Sequence, residues 1–130
     1  VPRVEYTDRG VRDLEAIVHP AVGEERAAFL ARHGDDDMVV FDIPLLFETG
    51  GDRNVDIVVV VSADAATQQA RVLARPGMTR ERLADILARQ TPDAEKRVRA
   101  DHVIATDCPM DQTRAAVRRV IACVRAKQDR

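Results

Sequence analysis

The chain has 130 residues, 45% of them hydrophobic and only 3% aromatic, so it can bury one core, and that core must be built from Ala, Val, Leu and Ile rather than from rings. A net charge of -2 gives no electrostatic reason to expect a nucleic-acid or membrane partner. No apolar run approaches the roughly 20 residues that span a bilayer, no charged-then-apolar leader opens the chain, and Cys108 and Cys123 show no metal or redox spacing, so a reduced, cytoplasmic protein with one domain over 1–130 is expected.

Residues 1 to 8 carry no usable period. From Arg9 to Val18, the positions Val11, Leu14, Ile17 and Val18 recur at helical spacing. Pro20 is expected to interrupt that pattern before a second helix from Ala21 to His33, with Val22, Phe29 and Leu30 inward and Gly34 as its stop. The turn signal Asp35-Asp36-Asp37 precedes Met38 to Phe41, which reads as a buried strand, and Val55 to Val61 reads as another. Neither alternates polar with apolar residues, which predicts cover on both faces, as in a parallel sheet. His102 to Ala105 is a third, shorter strand. Between the second and third strands, helices are predicted over 64–74, 80–90 and 92–99, with Thr91 and Pro92 as the cap and first residue of the last. A final helix over 110–126 turns Ala116, Val117, Val120, Ile121 and Val124 inward, while Gly50-Gly51 reads as a flexible loop.

Strands alternating with helices imply an α/β fold with a parallel sheet. The segment from Arg71 to Arg99 carries seven Arg and one Lys against four acids, so it holds an excess of four positive charges while the rest of the chain is net negative. That makes it a candidate binder of a small polyanion, and a helical excursion over about 71–101 is where a lid would sit.

Three constellations can carry chemistry. A strand ending at Asp42 puts a carboxylate at the carboxyl edge of the sheet, where open α/β folds bind ligands; such a group either organises hydrated Mg2+ or caps the next turn. The residues after it, Ile43-Pro44-Leu45-Leu46, are apolar where a turn is normally polar, which suits a pocket for a partly apolar ligand. Arg71 and Arg75 stand at i,i+4 spacing on one helix face, suited to stacking on a base and reaching phosphate oxygens, or to a solvated face. His19 precedes a proline and is therefore expected in an extended or turn conformation, as a ligand contact or a hinge. Glu48, Gln90 and Asp101 are single polar residues near segment ends, readable as caps or surface groups. The sequence contains no G-x-x-x-x-G-K-[ST], no G-x-G-x-x-G and no nucleophile elbow.

Taken together, Leu14 to Pro20, Phe41-Asp42-Ile43-Pro44-Leu45-Leu46-Phe47-Glu48, Gln69 to Arg75, Ala88-Arg89-Gln90, Lys96-Arg97 and Ala100 to Ile104 resemble the dephospho-CoA kinases, P-loop kinases that phosphorylate the ribose 3'-hydroxyl of dephospho-CoA in the last step of coenzyme A synthesis. The likeness spans about residues 12 to 126. It implies a partial P-loop kinase-like parallel sheet flanked by helices, with a helical lid. It also implies ATP and Mg2+ as cofactors, small-molecule partners only, and Asp42 beside the phosphates, touching the metal through water. By the same likeness Pro44, Leu45, Leu46 and Glu48 line the acceptor pocket with His19 nearby, Arg71 and Arg75 open the lid over ATP, Gln90 faces the acceptor, and Lys96 and Arg97 close on the phosphates. Arg71, Arg75 and Arg97 would stabilise the transferring charge.

The family often continues Val-Ile with Asp-Asn before a Gly; this chain has Ala105-Thr106-Asp107 at that place, near the adenine. Family members also begin with a strand and a Gly-rich P-loop, which leads to the expectation that this sequence is a truncated part of a longer protein. The P-loop strand would lie between the strands at 38–42 and 56–61, so those two should not pair directly. Without a P-loop no kinase turnover is expected. The competing readings are a non-catalytic module that binds nucleotide, CoA or a protein partner, and a related small-molecule kinase with another acceptor.

Overall fold

The computed structural model describes residues 8–128, which fall into two compact units that divide between Phe41 and Asp42. The amino-terminal unit is dominated by α1 (Asp8–Arg32), one unbroken helix that contains Pro20. The expected interruption is therefore absent, and His19 is helical rather than extended. A proline inside a helix removes one backbone hydrogen bond, and the carbonyl it frees belongs to the exposed Ala16, where water can satisfy it. The predicted inward positions Leu14, Ile17, Val18, Val22 and Leu30 are all exposed, and the side chain of Val11 lies outside the described residues.

Met38 to Phe41 belongs to no helix or strand among the described residues, which corrects the expected buried strand. Strand structure needs a backbone partner, and an apolar run without one forms no ladder. Val40 is 79% exposed. Phe41 instead packs within its own unit: its ring meets Phe29 edge-on at 6.0 Å, and the Arg26 guanidinium lies 4.6 Å from its centroid.

The larger unit contains the sheet. β1 (Val59–Ser62) and β2 (His102–Ala105) pair in parallel, Val59 opposite His102 through Ser62 opposite Ala105. β1 is shorter than the predicted run because Val58, just before it, already bonds to the turn that enters β2: its carbonyl accepts from the backbone N–H groups of Asp101 and His102. Parallel strands require a crossover, here built from α2 (Ala65–Leu73), α3 (Arg80–Arg89) and α4 (Asp93–Arg99). Asp64 caps α2 by accepting the Thr67 N–H, and Thr79 caps α3 by accepting the Arg82 N–H. Pro92 rather than Thr91 occupies the cap position of α4, and no side chain caps that end. α5 (Met110–Gln128) packs on β2, and α4 packs on β1.

Phe47, Val58 and Val60 form the centre of the core, with Leu46, Val55 and Ala100 packed against it. Burying each such side chain contributes about 1.5–3 kcal/mol, so this small cluster is the main anchor of the 44–62 segment. Val124 is the buried residue of α5 and Ala116, Val120 and Ile121 are half-buried, whereas Val117 is exposed. Gly50-Gly51 is not a shapeless loop: Gly50 takes the left-handed conformation with φ 69° and leads into a 3-10 turn over Gly51–Asn54.

Candidate functional site

Residues 44–50 coil into successive turns. The Thr49 hydroxyl donates to the Leu45 carbonyl at 2.8 Å, and the Gly51 N–H donates to the Leu46 carbonyl at 2.8 Å. This coil buries Phe47 and half-buries Leu46 against the core, which leaves Pro44 and Leu45 exposed on its outer side. Apolar residues therefore divide between core and surface, with Leu46 committed to packing.

Glu48 sits at the centre of the best-built polar arrangement. One carboxylate oxygen, Oε1, accepts the Thr91 backbone N–H at 2.8 Å and lies 2.9 Å from Lys96 Nζ. Both side chains are largely buried, at 14% and 19% exposure. Burial pushes the Glu48 carboxyl upward, but the Lys96 ammonium and the backbone N–H groups of Glu48 and Thr91 outweigh it and hold the group below its ordinary value. The other oxygen, Oε2, is buried without a partner among the described residues.

A second cluster gathers at the carboxyl end of the sheet. Arg71, in the last turn of α2, donates through Nη2 to the Thr106 carbonyl at 2.6 Å and through Nη1 to the Thr106 hydroxyl at 3.2 Å. Thr106 in turn donates its N–H and its hydroxyl to the Ser62 carbonyl at the end of β1. Ala105 is exposed, and its carbonyl accepts from the Thr113 hydroxyl at 3.2 Å.

The other predicted site residues stand apart from these clusters. Asp42, Arg75 and Arg97 are exposed, and their side chains make no hydrogen bond or ion pair among the described residues. Gln90 is the half-buried cap at the carboxyl end of α3. His19 is an exposed residue of α1 in the amino-terminal unit. No three His, Cys, Asp or Glu residues among those described form a group able to hold a metal ion. Neither cysteine is in a disulfide, and no helix among the described residues is long and apolar enough to cross a membrane.

Several organising contacts are invisible to pattern reading. The buried Ser62 hydroxyl donates to the Asp93 carboxylate at 2.9 Å, Arg99 Nη2 lies 2.9 Å from Asp52 Oδ2 and its guanidinium 4.3 Å from the Phe47 centroid, and Asp101 Oδ2 accepts the Val58 N–H at 2.8 Å. Asp101 reads in sequence as a polar residue near a segment end, a cap or surface group, and Arg99 as part of the basic segment, but the contacts themselves join positions 31 to 52 residues apart in sequence.

A parallel sheet crossed by three helices, with cationic side chains meeting a carboxylate loop and the sheet's carboxyl end, defines an α/β protein of the P-loop kinase-like class. The family model described as dephospho-CoA kinase matches residues 6–112. The chain belongs to the dephospho-CoA kinase family. It is 53% identical over 120 residues to a dephospho-CoA kinase of Novosphingobium aromaticivorans, covering 92% of this chain and 60% of that one. It is 52% identical over 120 residues to a dephospho-CoA kinase of Mesorhizobium japonicum, covering 91% of this chain and 61% of the relative. Among solved structures it is similar to TT1252 from Thermus thermophilus, with a TM-score of 0.76 and 32% identity, covering 92% of this chain and 62% of that one. The chain thus spans about three fifths of the length of the curated relatives it matches.

Proposed function

We propose that this chain supplies the acceptor-binding and lid parts of an ATP-dependent kinase that phosphorylates the ribose 3'-hydroxyl of dephospho-CoA. The observation that carries this reading is the clamp on Glu48: Thr91 and Lys96, both from the basic excursion, close on the loop that follows Asp42. A loop fixed in this way presents Pro44 and Leu45 to the apolar part of an acceptor at constant geometry, and fixed geometry is most of what phosphoryl transfer asks of a protein.

In this reading Pro44, Leu45, Leu46 and Glu48 form the acceptor pocket, with Lys96 acting by holding Glu48. Gln90 contacts the acceptor. Arg75 and Arg97, whose guanidinium groups are uncommitted among the described residues, meet the phosphates and stabilise charge that develops during transfer. Arg71, Ala105 and Thr106 form the nucleotide side, because Arg71 fixes the backbone that follows β2. Asp42 suits Mg2+ through water: magnesium is commonly held by one or two carboxylates plus substrate phosphates, and a lone exposed carboxylate fits that pattern better than a closed protein cage. When bound, the ion supplies neutralisation of phosphate charge. Small-molecule substrates in the cytoplasm complete the picture.

The test is titration calorimetry on the 130-residue chain with dephospho-CoA and with ATP. Saturable binding of dephospho-CoA that Leu45→Asp abolishes supports the acceptor pocket. Binding that survives this change, or no binding at all, contradicts it.

A further inference from the structure

The two halves of the basic excursion are bonded in different ways. Between Arg75 and Gln90 the side-chain hydrogen bonds of the described residues close locally: Thr79 accepts the Arg82 N–H, and Arg82 Nη1 donates to the Gly77 carbonyl at 2.7 Å. From Thr91 to Asp101 there is one local pair, Arg99 with Glu95 at 3.4 Å, and the other bonds reach far along the chain. Thr91 and Lys96 hold Glu48, Asp93 takes the Ser62 hydroxyl, Arg99 meets Asp52 and lies over Phe47, and Asp101 takes the Val58 N–H. Their anchor points are on the core itself, since Ser62, Phe47 and Val58 are all buried. Lifting α4 would break the Lys96, Asp93 and Arg99 contacts together and strand a largely buried carboxylate and ammonium, whereas lifting α3 exposes Leu83 as its one buried residue. The boundaries between these halves and their neighbours are also places where the backbone can turn. Gly77 has φ +75°, and Gln90 is extended at the end of α3.

We propose that α4 is a fixed strut of the 44–54 loop and not part of a moving flap. Ser62, Asp93, Asp52 and Arg99 are its positioning residues, and movement of the excursion is confined to Arg75–Gln90. The strut rests on the proposed acceptor pocket only for its purpose, which is to hold the Glu48 loop in register while α3 opens and closes. Arg75 travels with the flap, and Lys96 and Arg97 stay with the floor.

Hydrogen exchange followed by mass spectrometry on the 130-residue chain tests this without substrate. Amides of 93–99 and 45–54 should be protected alongside β1 and exceed those of α3 by about tenfold or more, the scale set by one or two lost tertiary bonds. Arg99→Met should lower protection of 93–99 and 45–54 together by about tenfold and leave α3 unchanged. Asp93→Asn, which keeps size and weakens the Ser62 bond, should do the same should Arg99→Met unfold the chain, and the exposed Arg89→Met should change neither region. Joint exchange of α3 and α4 as one unit, or a variant that loosens α3 and spares 45–54, overturns the strut. Because no ligand is involved, that result leaves the kinase reading standing, and failed dephospho-CoA binding leaves the strut standing.

Discussion

Lys96 Nζ stands 2.9 Å from Glu48 Oε1, the same oxygen that accepts the Thr91 N–H, so one carboxylate ties the loop after Asp42 to the start and the middle of α4. Removing either partner leaves a largely buried charge uncompensated. Glu48→Gln and Lys96→Met should each destabilise the larger unit by about 2 kcal/mol, somewhat below the range for fully buried pairs because both side chains retain some exposure. The double variant should lose less than the sum. Denaturant titration of the four proteins checks this, and strict additivity would show that the pair is not coupled.

The same pair sets a pH dependence. Glu48 is depressed below its ordinary 4.5 in the folded chain, so at low pH the unfolded state takes up its proton first and stability rises with pH across that window. The contribution is fully present above 4.5 and is lost as pH falls through the lower folded value. In Glu48→Gln this part of the acid dependence should vanish, which urea midpoints measured at a series of acidic pH values would reveal.

Two glycines should respond with opposite signs. Gly77 has φ +75°, with only the far end of Arg82 within 4 Å of an added Cβ, so Gly77→Ala is resisted by backbone conformation alone and should cost about 1 kcal/mol. Gly23 lies inside α1 with nothing near an added Cβ, and Gly23→Ala should stabilise that helix by about 0.5–1 kcal/mol. Thermal denaturation followed by far-ultraviolet circular dichroism distinguishes the two; a shared sign would contradict the geometry at one of them.

Arg71 grips Thr106 at two atoms, and that fork is specific to a guanidinium. Arg71→Lys should therefore weaken ATP binding nearly as much as Arg71→Ala, by about tenfold, while shifting stability by less than about 1 kcal/mol because the contact is exposed. ATP titration of a kinase-length protein carrying each change is the measurement. Full rescue by lysine would mean that only the charge matters.

How far the sequence reveals this molecule depends on the range of the interactions involved. α2 to α5 and β2 were legible because their signals are local: the last helix repeats apolar residues at helical spacing, and His102 to Ala105 is a short β-branched run. Met38 to Phe41 has the same composition as a strand and is not one, since a ladder depends on a partner that composition does not specify. Pro20 misled for the converse reason, a local rule yielding to an exposed helix able to solvate its free carbonyl. In the candidate site, Glu48, Lys96 and Arg71 are named from family likeness, whereas Thr106 stands where this chain departs from the family pattern. Ser62 with Asp93 and Asp52 with Arg99 were not, because each residue alone is an ordinary cap or surface charge and only folding brings the pairs within 2.9 Å.

The most direct measurement is turnover with ATP and dephospho-CoA, comparing the 130-residue chain with a chimera in which the part of the Novosphingobium aromaticivorans relative that this chain does not cover is joined to it. The chain alone should yield no coenzyme A, because its sequence holds no G-x-x-x-x-G-K-[ST], while the chimera should form it and lose most activity on Arg97→Ala. A folded chimera that binds ATP but makes no coenzyme A, or product from the chain by itself, would contradict the assignment of acceptor and lid roles to these residues.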